Sequence, residues 1–488
     1  MPKPQRPNLL FVFTDEQRFD TLECERGPSN AYPPGSLRMP NLNRFAEQAC
    51  HVSETWCTQP VCTPSRGSIL TGLYPHAHGA VNNNIPLNAD ADCLPEILQQ
   101  AGIDDHRTGY HGKWHLGDEI FAQHGFAEWR AIEDHYRPWY SKSRDKARTS
   151  DYYNWLRAEG FKPDLEREFS RGMATNLPEA FTKPAFLARE ACRFLEENRD
   201  HPFVLYVNFL EPHMPFFGTN TNRYHADEVP LPPNFNVPPS ADMPKANFLH
   251  EFRKREGFEW YDLSTEKGWR QMIAAYMGLN TLVDTHFGRI LRRLEELGLD
   301  DNTVVVFTSD HGDMMGSHRL MAKQFMYQES ARVPLLIRLP GQREPMRLDG
   351  PFSQIDLVPT LLELLGCPVP DHLHGRSRAA KLTPGTDQQL DEDVVVCWNP
   401  HPGKETAGDP EEKIAPNEPV RTLVTADGWR FSHHPLTRCH ELFNLREDPL
   451  ESKNLAADPA QADRIREGNE RLRQWQARTG DPVALADS

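Results

Sequence analysis

The sequence predicts an α/β protein: a large mixed, mostly parallel sheet flanked by helices, followed by a small C-terminal α+β subdomain that carries an antiparallel sheet. Three runs of apolar, β-branched and aromatic residues predict the main sheet. Asn8 to Thr14 (NLLFVFT), Pro202 to Phe209 (PFVLYVNF) and Thr303 to Ser309 (TVVVFTS) read as strands buried on both faces, the pattern of parallel pairing. The intervening stretches carry helical periodicity, so strand and helix alternate and the crossovers are right-handed. The appendage follows a polar stretch bearing Gly and Pro, Gly375 to Pro419. Beyond it RTLVTADGWRFSHH and HELFNL read as antiparallel strands, and a charged helix runs from Pro459 to Thr479. The division falls at residues 1–375 and 376–488.

The first strand runs directly into Asp15 and Glu16. Ahead of the second strand, KPAFLAREACRFLEENRD has Pro184 near its start and Ala185, Ala188, Ala191, Cys192 and Leu195 at helical spacing. Glu211 and His213 follow that strand. A longer helix, MIAAYMGLNTLVDTHFGRILRRLEELG, is closed by Gly298, and the third strand leads into Asp310, His311 and Asp313. Ligands of open α/β sheets sit outside the carboxyl ends of the strands, so these polar groups converge in one place. Two segments, Trp129 to Gly160 and Pro215 to Gly257, lack periodicity and read as long excursions over the sheet.

Composition narrows the function. No apolar run among the 488 residues approaches the ~18 that a membrane span needs. The N-terminus lacks a signal-like apolar region, which points to the cytoplasm. Nine cysteines are scattered without CxxC pairs, so free thiols are expected rather than a disulfide framework or a zinc finger. A formal net charge of −16 argues against nucleic acid or an anionic membrane as partner, and requires local cations to attract an anionic substrate. An assembly of identical chains is compatible with these features.

One short stretch carries unusual chemistry. In VCTPSRGSILTG (Val61 to Gly72), Pro64 suits the first helical position, which makes Cys62 or Thr63 the cap and puts a thiol at the positive end of a helix. Arg66 adds a forked cation able to hold an oxyanion. An isolated cysteine is more often inert, so this feature does not decide by itself.

Cys62, Pro64, Ser65 and Arg66, followed by Leu70, Thr71 and Gly72, resemble the signature of the type I, formylglycine-dependent sulfatases of the alkaline phosphatase-like superfamily. GYHGKWHLG resembles that family's second signature, with Lys113 and His115. FTDEQR and TSDHGDMMGSH resemble its metal-binding strand ends, with Asp15, Glu16, Asp310 and His311. EPHMPF supplies His213, and MAKQFMYQESARVPLLI supplies Lys323. MPNLNRFA, QIDLVPTLLELLG and ELFNLREDPLESKNL are similar to structural stretches, so the resemblance covers nearly the whole chain. His111 and His115 at i, i+4 also suggest a metal pair, but Gly112 between them disfavours the helix that reading needs. A more distant likeness to phosphonate monoester hydrolases rests on His311, where other sulfatases have Asn, and on Asn83 in VNNNIPL, similar to an active-site asparagine of that group. That group lacks the Gly-Lys-x-His pattern present here as Gly112, Lys113 and His115.

The resemblance implies hydrolysis of sulfate monoesters. Cys62 is then the precursor of formylglycine, made by a formylglycine-generating maturation enzyme, and the aldehyde hydrate is the nucleophile. Asp15, Glu16, Asp310, His311 and the residue made from Cys62 hold one divalent metal ion, Ca²⁺ with Mn²⁺ as the competitor. Arg66, Lys113 and Lys323 hold the sulfuryl oxygens. His213 and Lys323 protonate the leaving alcohol, and His115 is the base of the second half-reaction. The alternatives are a phosphonate monoester or phosphodiester hydrolase with the same nucleophile, or an unmodified protein that binds sulfated ligands. No motif identifies the leaving group.

Overall fold

The computed structural model describes residues 6–25, 30–33, 35–240, 242–247, 249, 260–383, 385, 388–402 and 417–485. Its large sheet contains β1 (Asn8–Asp15), β2 (Cys50–Trp56), β3 (Arg107–Gly112), β4 (Glu128–Arg130), β5 (Phe203–Pro212), β6 (Thr303–Ser309), β7 (Arg332–Val333), β8 (Leu335–Arg338) and β9 (Met346–Ser353). The order is β4-β3-β5-β1-β6-β8-β2-β7, with β9 paired to β2. β1, β3, β4, β5 and β6 run parallel, whereas β8 is antiparallel to β6 and β2, and β7 to β2. The three strands predicted from apolar runs are the middle of this sheet. Asn8 fastens them at their start, its Nδ2 donating to Thr303 Oγ1 at 3.2 Å and its Oδ1 accepting from the Phe203 N–H at 3.2 Å.

The side-chain period of two sends β1 into two cores. Leu10 and Val12 join Leu205, Val207, Val305 and Phe307 beneath the helices Lys183–Glu197 and Glu266–Glu296. Leu9, Phe11 and Phe13 join Val204, Tyr206, Val304 and Val306 on the other face, covered by helices Cys62–Thr71, Leu94–Gln100 and Leu357–Leu364. Both faces are therefore filled, as continuous apolar strands require.

Two of the sequence expectations are corrected. The stretch from Trp129 to Gly160 is not all excursion: the helix Asp151–Ala158 forms within it, capped by Ser150 Oγ accepting from the Tyr153 N–H, and buries Tyr152 and Leu156 in the first core. The long helix starts at Glu266 rather than Met272, because Thr265 caps it by accepting the Gly268 N–H. Of Pro215 to Gly257, residues 241, 248 and 250–257 lie outside the described residues, and the part before them holds only single 3₁₀ turns.

A second, antiparallel sheet has the order β10 (Val394–Trp398), β11 (Val420–Val424), β12 (Trp429–His433) and β13 (Glu441–Asn444). β10 falls within the stretch read as polar boundary, of which 384, 386–387 and 403–416 lie outside the described residues. One face meets the helix Ala462–Thr479 through Phe431, Leu442, Leu472 and Trp475. The other packs Val394, Val396, Val420 and Val424 on Trp56, Cys57 and Val61. The second sheet thus backs the segment that leads into Cys62, and the Cys397 N–H donates to the Thr58 carbonyl at 2.6 Å. All nine cysteines are free thiols, as expected. Among the described residues, no helix is long and apolar enough to cross a membrane.

Candidate functional site

Because β1 and β6 are adjacent and parallel, Asp15 and Asp310 emerge side by side at the carboxyl edge of the sheet. Glu16 takes a left-handed backbone, φ 70°, uncommon for a residue with a side chain. Its N–H donates to Asp310 Oδ1 at 3.1 Å, and the Tyr276 hydroxyl donates to its carbonyl at 2.9 Å. The His311 N–H reaches the same Asp310 oxygen at 2.8 Å. His311 Nδ1 lies 2.8 Å from the Gly312 carbonyl, which assigns the ring proton to that nitrogen and turns Nε2 inward, 3.7 Å from both Asp15 Oδ1 and Asp310 Oδ1.

Cys62 opens the helix Cys62–Thr71. Val61, with φ −161°, is the cap, one residue earlier than the expected Cys62 or Thr63. Pro64 is tolerated at the third position because first-turn N–H groups have no intrahelical acceptor. The valine side chain cannot cap, and Asn83 does so in its place, its Oδ1 accepting the Thr63 N–H at 3.1 Å. The Cys62 Sγ lies 3.3 Å from His311 Nε2 and 3.6 Å from Asp15 Oδ1.

Three cations surround these acids, with different freedom. Arg66 Nε donates to Asp310 Oδ2 at 2.8 Å and Nη2 to Asp15 Oδ2 at 3.0 Å, while Nη1 donates to the Lys113 carbonyl and to Asn208 Oδ1, both at 2.8 Å. Of its five N–H donors one remains, so the guanidinium braces the two aspartates rather than standing free for an oxyanion. Lys113 is fully buried and pairs with Asp15 Oδ2. Lys323 pairs with Glu16 Oε2 at 3.0 Å. Both amines offer further N–H donors.

His213 Nδ1 lies 2.7 Å from the Met214 carbonyl, and its Nε2 stands 3.5 Å from Glu16 Oε2. His115 sits at φ 58° with Nε2 3.0 Å from Asn84 Oδ1, and its ring stacks on Tyr136 at 4.1 Å between centroids. The buried Glu119 carboxylate holds this turn by accepting the Trp114 N–H at 2.8 Å and the His115 N–H at 2.6 Å. His111 is elsewhere, in β3, with Nε2 3.1 Å from Glu128 Oε1, so the two histidines of GYHGKWH do not meet.

Electrostatics follow from burial and crowding. Burial alone would raise Asp15, but Lys113, Arg66 and Lys323 hold it well below the usual carboxylate range. Glu16 goes the other way, pushed up to about 8 by burial against the pull of Lys323. Burial and Asp15 oppose ionisation of the Cys62 thiol, yet Lys113, Lys323 and His311 prevail and lower it. Burial would lower His311, but Asp310 and Cys62 lift it to about 9. Burial depresses His115, aided by Lys113 and Arg66, and depresses His213, aided by Lys323, so both imidazoles are neutral near pH 7.

The donor set fits a divalent cation. Asp15, Cys62, Asp310 and His311 each place one ligand atom within 4.8 Å of the others, as do Asp15, Glu16 and His213. Glu16 Oε1 is buried without a hydrogen-bond partner among the described residues. Carboxylate oxygens with one imidazole suit Ca²⁺ or Mn²⁺.

Sequence reasoning missed Asn208, Glu119, Tyr136 and Asn84. Only Asn208 had a visible signal, as the one amide within an otherwise apolar and aromatic run.

A centre of this kind, acids and cations gathered at the carboxyl edge of a doubly covered sheet, defines a hydrolase of anionic esters. The sulfatase pattern matches residues 7–367, so the chain belongs to the sulfatase family and is a sulfuric ester hydrolase. A second pattern, N-sulphoglucosamine sulphohydrolase, C-terminal, matches residues 316–478. The chain is 28% identical over 510 residues to the multifunctional alkaline phosphatase superfamily protein PehA of Trinickia caryophylli, covering 98% of this chain and 96% of that one. It is 27% identical over 503 residues to an ulvan-active sulfatase of Formosa agariphila, covering 99% and 84%. In fold it is similar to a phosphonate monoester hydrolase of Silicibacter pomeroyi, with TM-score 0.81, 22% identity and coverage of 97% and 96%.

Proposed function

We propose that the protein hydrolyses sulfate monoesters at a formylglycine derived from Cys62, with Asp15, Glu16, Asp310 and His311 holding one divalent cation, Ca²⁺ or Mn²⁺. The observation that carries this reading is the position of Cys62: its Sγ faces His311 and Asp15 at 3.3 and 3.6 Å, and the charges of Lys113 and Lys323 act on it. Held by Asp15, Glu16, Asp310 and His311, a cation would supply polarisation of the ester oxygens and of the nucleophile, and formylglycine at position 62 would supply a hydrated aldehyde as that nucleophile.

The chain's own residues do the rest. Lys113 and Lys323 bind the sulfuryl oxygens through donors left over from their carboxylate pairs, in a buried setting where fixed cations stabilise developing charge. Arg66 keeps Asp15 and Asp310 at fixed separation. Lys323, whose ammonium pairs with Glu16, is the better proton donor to the leaving alcohol, since His213 is held neutral. His115 directs Nε2 to Asn84 and leaves Nδ1 without a hydrogen-bond partner among the described residues, the form of a neutral imidazole that accepts a proton.

The test is chemical. A hydrazide probe should label the Cys62 peptide of protein made with a maturation enzyme, and that protein should hydrolyse 4-nitrophenyl sulfate; activity with an intact thiol overturns the nucleophile. The likeness to phosphonate monoester hydrolases favours one second reading. Faster hydrolysis of a phenylphosphonate monoester than of the aryl sulfate would establish it.

A further inference from the structure

Outside the motifs, a buried carboxylate gathers two cations beside the site. Glu133, with 1% side-chain exposure, accepts from Arg171 Nε at 2.9 Å and Nη2 at 2.6 Å and pairs with Lys183. One ammonium would neutralise this carboxylate, so the guanidinium leaves a net positive charge. Burial pushes Glu211, an acid within reach of both cations, up to about 7, so it cancels that charge only in part near neutrality. Glu168 stands on the same side, 3.9 Å from His135.

Arg171 is fixed one aromatic ring away from His115. Its Nη2 also donates to the Tyr136 hydroxyl at 2.8 Å, and its Cζ lies 5.6 Å from the centroid of that ring, whose face stacks on His115. Lys113 Nζ lies 5.8 Å from the same ring. The Arg171 charge acts on both His115 and His213. Among the described residues no acceptor bonds to Nη1, and the side chain is 20% exposed. A guanidinium anchored through Nε and Nη2 and presenting the two N–H groups of Nη1 suits capture of a second oxyanion.

We propose that Arg171 binds a second anionic group, a sulfate or carboxylate, on the alcohol portion of the substrate, so that the site prefers sulfate esters of anionic alcohols, such as a sugar bearing a further sulfate. This rests on the sulfate-ester reading, in which Lys113 and Lys323 hold the reacting sulfate and leave Arg171 for another group.

Calorimetry on the metal-loaded Cys62→Ala protein tests it without turnover. D-glucosamine 2-N,6-O-disulfate should bind at least about tenfold more tightly than N-acetyl-D-glucosamine 6-O-sulfate, the scale of one charge-assisted hydrogen bond. Arg171→Met should bring that ratio close to one. Equal binding of the two sugars, or a ratio that survives Arg171→Met, overturns the proposal. If the melting curve shows that Arg171→Met does not fold, Arg171→Lys replaces it; that variant should lower the ratio at least about threefold, and an unchanged ratio overturns the proposal. Failure of the parent protein to hydrolyse 4-nitrophenyl sulfate would strike at the sulfate-ester reading instead, and the binding ratio would still decide the role of Arg171.

Discussion

Two of the molecule's clusters of buried charge, one around Cys62 and one within the C-terminal sheet, are arranged differently. Arg421 uses all five donors: Nε and Nη2 on Asp481 at 3.0 and 2.6 Å, Nη1 on the Trp398 and Val420 carbonyls, and Nη2 again on Asn399. That cation and its partners are complete without any other molecule. Around Cys62 the acids share cations, Glu16 Oε1 and Asp313 Oδ2 are buried without hydrogen-bond partners among the described residues, and Lys113 and Lys323 retain donors. A closed set of buried charges fastens two segments of chain together. An incomplete one, held rigid by its surroundings, is ready to receive a charged guest.

Substitutions should separate the two regions, beginning with the largest effect. Cys62→Ala is predicted to lower turnover of 4-nitrophenyl sulfate by at least ~10³-fold while the melting temperature stays the same, because the thiol supplies the nucleophile's carbon but little packing. Exhaustive chelation is predicted to remove activity and lower the melting temperature together, since the clustered carboxylates lose the ion that reconciles them. Turnover that persists after chelation would mean that the acids serve some other purpose. Lys113→Ala should reduce kcat/KM on the order of a hundredfold.

The C-terminal sheet should respond in stability alone. Arg421→Met strands Asp481, and denaturant titration should show a loss of about 3–5 kcal/mol with unchanged kcat per folded molecule. A fall in kcat would mean that the second sheet does more than back the Cys62 segment. The smallest effect concerns acid. Burial alone would raise Glu441, but Arg430 and His434 bring it down to about 2 from an ordinary 4.5. Its folded-state value is depressed, so its stabilising contribution is complete above pH 4.5 and is lost as pH falls towards 2. Glu441→Gln should flatten the melting temperature's pH dependence across that window.

The contrast also explains what the sequence made legible. Asp15, Asp310 and His311 were readable because they follow strands whose apolar runs are unbroken, and Cys62 because Cys62 to Gly72 resemble a family signature, the helix start marked by Pro64 being indecisive by itself. Asn83 was read as a group at the site, and in the structure its carboxamide caps the Cys62 helix, which a linear pattern does not reveal. Tyr136 occupies a stretch without periodicity, Glu119 and Arg171 fall outside every quoted motif, and all three act through contacts made only in the folded chain. β10 escaped notice because polar turns on either side disguise its five residues.

Asn8 holds a lesson about the order of events. Its carboxamide joins partners 195 and 295 residues further along, so the central strand of the sheet is the first to be synthesised and among the last to be fully paired. Contacts of such separation close slowly, and until the stretch around Thr303 has left the ribosome β1 has one apolar edge without its neighbour. The acids of the site reside at the ends of β1 and β6, so no nascent chain that stops short of Asp310 can assemble them, and activity reports the pairing of β1 with β6.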